Sequence, residues 1–391
     1  MLSPPELSEP YAGLEDLDYL TRLAEDAVAR GRTDDFYAAL RRSEIPYLLS
    51  HHAGDLRELV LASLAALHAL GTASPAIALG VSQHMATMLA FGLSGRLLEE
   101  HETAGPVIGA LLQETLAQRL LIANTTSQGG GNRIGTKGSQ ISPEGEGFRI
   151  DGHSTFMSLA TEAEKIVFLT YAAGGALVGV VTDADTPGLE VSGELLFGDH
   201  LALADTRRVF FDGLHVEADA VFGPDPALNA FYALQLVCHN LCVSALYLGG
   251  GRRIVEEVRR HGRTSMLPSG APLATSDSFG ANVGGLVITY LNAVDLLLSQ
   301  VHLVSTLTGG DALDPATAGA ALLRVSTAKH GVARSAETVA TEGRKLIGAR
   351  AFMGDHPVGR IGAEIAFAAL GPATEKLIER NVGLKFLAEG T

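Results

Sequence analysis

The chain has 391 residues, 47% of them hydrophobic, and a formal charge of −15, with a mean hydropathy of +0.21 and a pI near 5.3. That length buries a large core in two or three units. The acidic balance argues against nucleic acid as a partner, though glycines and arginines can locally still accept a phosphate-bearing cofactor. No apolar run reaches the ~18 residues of a membrane span, the longest being Leu59 to Leu67, and the start MLSPPELSEP has neither signal-peptide nor transit-peptide character. A cytoplasmic protein with no membrane partner is the expectation.

Apolar spacing predicts helices over Leu17–Ala29, around Phe36–Leu40, over Leu56–Leu70 with Gly71 as its stop, over Ala76–Phe91 and over Leu97–Leu116. Residues 1–118 thus read as an all-helical N-terminal domain. His84 falls on an apolar helical face, where a buried, hydrogen-bonded histidine is expected. The period then changes. Ile166–Tyr171, Leu177–Thr182 and Thr206–Val216 are β-rich runs bounded by glycine or proline. Residues 119–227 read as a central antiparallel β domain. From 228 to 391 the chain returns to a helical bundle. Phe231, Leu234, Cys238, Leu241, Ala245 and Leu248 form one stripe, Gly249-Gly250-Gly251 interrupts or thins that helix, and Arg252–Arg263 resumes it. Val283–Val304, Ala316–Ala349 and Glu364–Leu387 supply three more helices. Cys238 and Cys242, four apart in this pattern, read as core thiols. The glycine triplet follows a helix rather than a strand, so helix packing explains it better than a phosphate cradle.

One stretch is made of different material: IANTTSQGGGNRIGTKGSQISPEGEGFRIDGHSTFMS, from Ile122 to Ser158. Thr125 and Thr126 favour strand, and Gly129-Gly130-Gly131 let only backbone approach a ligand. Phe148–Gly152 and Ser154–Ser158 look like two strands joined by a tight turn. A strand ending in hydroxyls and glycines, beside one carrying Phe156 and Ser158, suits a flat polar ring.

This order of units resembles the acyl-CoA dehydrogenase superfamily. Thr126 to Asn132 corresponds to the superfamily's T-E-P-x-x-G-S motif, and Asp151 to Ser158 to N-G-x-K-x-W-I-T. Gly348-Ala349-Arg350-Ala351-Phe352 corresponds to G-G-x-G-[FY] and Pro357-Val358-Gly359-Arg360 to P-[VL]-E-[RK]. The resemblance implies an α+β fold with a helical domain, a β domain and a helical bundle, and an FAD cofactor. It places Thr126, Gly131 and Asn132 on the flavin ring and its pyrophosphate side, and Phe156 and Ser158 against the ring and its carbonyl edge. It puts Arg263 on the diphosphate of a flavin held mainly by a neighbouring subunit, Gly348 and Ala349 beside the adenosine half, and Thr374 at the retained end of an E-G-T triplet. A homo-oligomer, dimer or tetramer, follows from a cofactor shared in that way.

The departures bear on the chemistry. The superfamily's catalytic glutamate falls on Pro372, which offers neither carboxylate nor N–H. A positioned base is worth roughly 10²–10⁴ in rate. The helix of some relatives that carries an alternative glutamate has no Asp or Glu here between Asn229 and Leu248. Ser154 replaces the usual lysine, Met266 a phenylalanine and Lys345 a glutamine. The catalytic residue is therefore unknown, with His356, His330 and Ser154 as candidates; a metal site is not expected. Three readings follow from the resemblance. One is an oxidoreductase acting on an acyl thioester, of CoA or of an acyl carrier protein, with a non-standard base. Another is a flavin-dependent monooxygenase of the same superfamily, served by an electron-transfer or flavin-reductase partner. The third is a degenerate member without catalysis. An apolar small-molecule substrate is expected in the first two.

Overall fold

The structure, a computed structural model, describes residues 4–94, 103–125, 138–224, 226–308, 315–354, 356–371 and 373–388. Helix α1 (Leu17–Arg30) buries Leu20, Ala24 and Ala27, one side chain per turn, and ends at Gly31 in the left-handed region. Short helices α2 (Asp34–Arg42) and α3 (Leu49–His52) lead to the central pair α4 (Leu56–Ala73) and α5 (Pro75–Leu93). Asp55 caps α4 and Ser74 caps α5, with Pro75 at the first helical position. These two helices are apolar almost all round, and nearly every residue of α5 is buried, because layers cover them on every side. Helix α6 (Ala104–Gln118) completes the unit.

Eight strands follow: β1 (Ile122–Thr125), β2 (Ser139–Glu144), β3 (Gly147–Met157), β4 (Lys165–Tyr171), β5 (Leu177–Asp183), β6 (Leu189–Leu195), β7 (Arg207–Val216) and β8 (Val221–Phe222). Their order is β6-β7-β3-β2-β4-β5-β8, with β1 beside β4. Every pairing is antiparallel except β1–β4 and β2–β4, so the sheet is mixed. The expected pair of strands at 148–158 is one strand, β3. Its pairing with β7 shifts register between Ile150 and Gly152 and again beyond Ser154, and such bulges bend one strand without breaking it. Gly152 lies at φ 124 against the backbone of Gly138 and Ser139, and this close crossing is what gave the sequence its turn-like look. The sequence reading had no signal for β6, whose residues are half-buried or exposed.

The last unit packs α7 (Pro226–Thr264), α8 (Asp277–Thr308), α9 (Pro315–Ile347), α10 (Pro357–Ile365) and α11 (Glu375–Ala388). Two expected glycine breaks are absent. Gly71 lies inside α4, and the glycine triplet lies inside an unbroken α7. A Cβ on Gly71 would sit 2.2 Å from the Leu246 carbonyl oxygen, and one on Gly249 2.0 Å from that of His68. The glycines are where the α4 and α7 backbones touch. The single helix expected over Glu364–Leu387 is in fact the end of α10, a 3-10 turn over Ala366–Ala369 and α11.

The α4–α5 junction is clasped by α10. Arg360 donates to Ala73 O at 2.8 Å and pairs with Glu364. Glu364 Oε2 accepts from Ala76 N at 2.8 Å and Ser74 Oγ at 2.9 Å. The carboxylate thus meets the open N–H groups of a helix start. Among the described residues, four helices are long and apolar enough to span a membrane by composition, contrary to the run-length reading. Three bury most of that surface within the fold, whereas only 28% of the Asp277–Ser305 window in α8 is buried.

Candidate functional site

The end of β1 organises the site. Thr125 is 1% exposed, and its Oγ1 donates to Phe156 O at 3.0 Å and meets Ser154 Oγ at hydrogen-bond distance. The β-branched threonine holds β1 extended, while its hydroxyl ties β1 to β3 across strands that do not pair directly through their backbones. One residue back, Asn124 Nδ2 donates to Gln83 O at 3.0 Å and Thr87 Oγ1 at 2.8 Å, anchoring the same strand to α5. His84, beside Gln83, is 1% exposed. Its Nε2 donates to Pro46 O at 2.8 Å and its Nδ1 accepts from Ile122 N at 2.9 Å, so the neutral ring is a structural link, as expected, and burial holds its pKa down to about 4.

On the other side of this strand end lies an aromatic wall. Phe156 is 42% exposed and stacks on Phe197, centroids 5.8 Å apart and planes within 3°. Phe197 in turn meets the edge of Phe367, at 4.5 Å and 61°. The wall joins the β sheet to the turn before α11. Behind it lies a buried polar group that sequence reasoning missed. Gln83 Nε2 lies 3.5 Å from His239 Nε2; an amide nitrogen only donates, so the ring nitrogen accepts. Gln235, one turn earlier on α7, is 4% exposed, and its amide nitrogen has no partner among the described residues. Lys329 on α9 is 2% exposed and donates to Ala368 O at 2.7 Å and Ala373 O at 3.3 Å. Burial lowers the His239 pKa to about 4, aided by the Lys329 charge, and burial lowers Lys329 to about 8 against the pull of Glu375 and Glu337. A polar residue inside a strongly apolar helical pattern was the only available signal for this group.

The predicted residues separate into sets. Phe156 and Ser154 come together as described. Ser158 is buried and its hydroxyl pairs with Thr206 Oγ1 at 2.8 Å. Thr374 caps α11, its Oγ1 accepting from Leu377 N at 3.3 Å, beside the Lys329 contact. Arg263, Gly348, Ala349 and His356 belong to a second place. Arg263 is exposed at the end of α7; two residues earlier, His261 feels the charges of Arg350 and His356. Gly348 has φ 74 and open space where a Cβ would stand, and Ala349 is exposed. His356 Nδ1 accepts from Val358 N at 3.2 Å, a helix cap. His330 lies 3.4 Å from Glu379 and 3.7 Å from Glu375, among carboxylates already engaged by Arg334 and Lys376. Thr126, Gly131, Asn132 and Pro372 lie outside the described residues. Cys238 and Cys242 are buried core thiols, with burial raising both pKa values.

Two places thus carry groups of the kind a flavin needs: a partly bare aromatic ring near an unpartnered buried amide donor, and an exposed arginine with an open glycine turn. Comparison with known proteins follows the same line. No family model matches the chain. It is 26% identical over 359 residues to dibenzothiophene monooxygenase of Rhodococcus erythropolis, covering 85% of each chain. It is 22% identical over 285 residues to L-prolyl-[peptidyl-carrier protein] dehydrogenase of a Serratia species, covering 70% of each. Among solved structures, KijD3 in complex with FMN and a dTDP-amino-keto-sugar superposes with a TM-score of 0.83 at 18% identity, over 98% of this chain and 94% of that one. Butyryl-CoA dehydrogenase of Megasphaera elsdenii superposes with a TM-score of 0.77 at 15% identity, over 95% and 98%. The mixed sheet between two helical units is the fold these structures share, that of butyryl-CoA dehydrogenase among them.

Proposed function

We propose that the chain is a flavin-dependent oxidoreductase that seats FAD against Phe156 and oxidises an apolar small molecule. The observation that carries the reading is the Phe156–Phe197–Phe367 wall, set at the strand end where this fold type seats its cofactor. Bound flavin would supply two-electron redox chemistry. The chain's own part is to pack Phe156 on the ring, to fix β1 and β3 through Thr125, and to keep water out with the three phenylalanines. Arg263, Gly348 and Ala349 would hold the far half of a cofactor bound mainly by a second copy. The outward apolar face of α8, with Ile288 61% exposed, supports a homodimer or homotetramer. A cytoplasmic location follows for an assembly that covers this face.

One observation favours oxygen insertion over α-proton removal. Among the described residues, no carboxylate hydrogen-bonds to Thr125, Ser158, His239 or Lys329. Oxygen insertion needs a dry pocket more than a base, and a flavin-reductase partner would then deliver electrons. Thioester oxidation, with an acyl carrier protein or CoA carrying the substrate, draws support from the similarity to the carrier-protein dehydrogenase. It would require Lys329 or His239 to take the proton.

The test is a visible spectrum of the purified protein with FAD or FMN added, followed by two mixings. Bleaching by an acyl-CoA without oxygen supports dehydrogenation. Oxygen uptake by the protein loaded with reduced flavin, with an oxygen atom recovered in an added apolar compound, supports oxygenation. Failure to retain either flavin overturns both.

A further inference from the structure

Lys329 holds an ammonium group in the interior, and among the described residues no carboxylate lies within ion-pair distance of it. Its partners are two backbone carbonyls five residues apart, Ala368 O at 2.7 Å and Ala373 O at 3.3 Å. An ammonium has three donors and no acceptor, so it is suited to gathering carbonyls that no N–H reaches. The first carbonyl belongs to a short turn and the second to a residue in an unusual backbone conformation. Ala366–Ala369 is a single 3-10 turn, and Ala373 sits at φ 56, a left-handed conformation unusual for a residue with a Cβ. Phe367 lies one residue before the first clamped carbonyl. Its ring approaches Gly371, where a Cβ would be 3.1 Å from Phe367 Cε1, and its edge meets Phe197. A buried ion is costly, and an apolar residue of similar volume often costs the fold less. What the charge supplies here is a particular path for the chain between 368 and 373.

We propose that Lys329 is a positioning residue for the cofactor seat: its ammonium clamps the chain between residues 368 and 373 and thereby holds Phe367 in the aromatic wall of Phe197 and Phe156. The charged and titratable groups around it are His239 of α7, Glu337 of α9 and Glu375 of α11. Lys329 touches no reacting atom in this role; it acts through Phe367. The inference rests on the proposed flavin seat for its functional meaning, but the clamp itself can be read without flavin.

The chain contains no tryptophan, so Phe367→Trp gives a single emitter in the wall. Adding Lys329→Met should red-shift its emission and raise acrylamide quenching severalfold while circular dichroism stays unchanged. A tryptophan placed instead at Phe231, buried at the start of α7, should not respond. Lys329→Arg, which keeps the charge and its donors, should recover most of the Phe367→Trp signal, and Lys329→Gln, which removes the charge but keeps a polar end, takes the place of the methionine variant if that protein fails to fold. In the protein without the reporter, Lys329→Met should raise the flavin dissociation constant about tenfold, the scale of a hydrogen bond to a charged group, and Lys329→Arg should restore it. Unchanged emission and quenching in the variant that removes the Lys329 charge overturns the clamp. A wild-type protein that binds no flavin overturns the proposed function instead, while the emission result still decides the clamp.

Discussion

Phe156 and Arg263 stand in different parts of the chain, and each can be cut without emptying the core. Phe156 already shows 42% of its surface, and its ring stacks on Phe197. Truncation to alanine removes a stacking contact worth about 0.5–1.5 kcal/mol, or roughly two- to tenfold in flavin affinity. Arg263 is exposed at the end of α7. If it reaches a diphosphate, Arg263→Ala costs a charge-assisted hydrogen bond, about 1.5–3 kcal/mol. Both variants should melt near the wild-type temperature and lose flavin on gel filtration. Equal flavin occupancy in wild type and both variants would sink the two contacts together.

At the scale of elements, α7 shows what a local reading of glycine gets wrong. The triplet Gly249–Gly251 is a poor helix sequence, yet the helix runs through it because α4 crosses there. Gly249→Ala gains about 1 kcal/mol of helix propensity but drives a methyl to 2.0 Å from the His68 carbonyl, overpacking that costs about 1–3 kcal/mol or more. Sterics wins because backbone cannot rotate away, so the melting temperature should fall. Gly319→Ala, exposed in α9 with nothing within 4 Å, should raise it by comparison, and the same sign for both would refute the account. The period-3.6 stripes of α1, α4, α5 and α7 and the β-rich runs of β4, β5 and β7 were legible, because burial on one face or all faces writes itself into composition. The split of Glu364–Leu387 was signalled by Gly371-Pro372, but the apolar spacing on both sides carried one helix across it. The site was legible only in part. Phe156 and Thr125 were named from the sequence, but Phe197, Phe367, His239 and Lys329 stand on four separate stretches of the chain, and no spacing announces that they gather.

For the molecule as a whole, the core carries a liability that appears in acid. Three of the buried histidines, His68, His84 and His239, have pKa values that burial holds down to about 3, 4 and 4, with Arg252 adding to the shift at His68 and Lys329 at His239. In the unfolded chain each titrates near 6.5. The unfolded state therefore binds more protons between pH 6.5 and about 4, and stability falls as pH drops through that window. With all three contributing, the slope approaches three protons, about 4 kcal/mol per pH unit. Folded carboxylates shift as well: burial raises Glu162, Glu337 and Glu364, so the total slope is a sum of both kinds of group. A variant isolates one member. His84→Gln preserves a donor for Pro46 O and an acceptor for Ile122 N without a titrating ring. Urea unfolding at intervals from pH 7 to pH 4.5 should give a stability curve for His84→Gln that is shallower than wild type by about one proton, the two converging above pH 7. Parallel curves would mean that His84 is not held neutral in the fold, and that the link between α5, β1 and the Pro46 turn is not the neutral imidazole bridge described above.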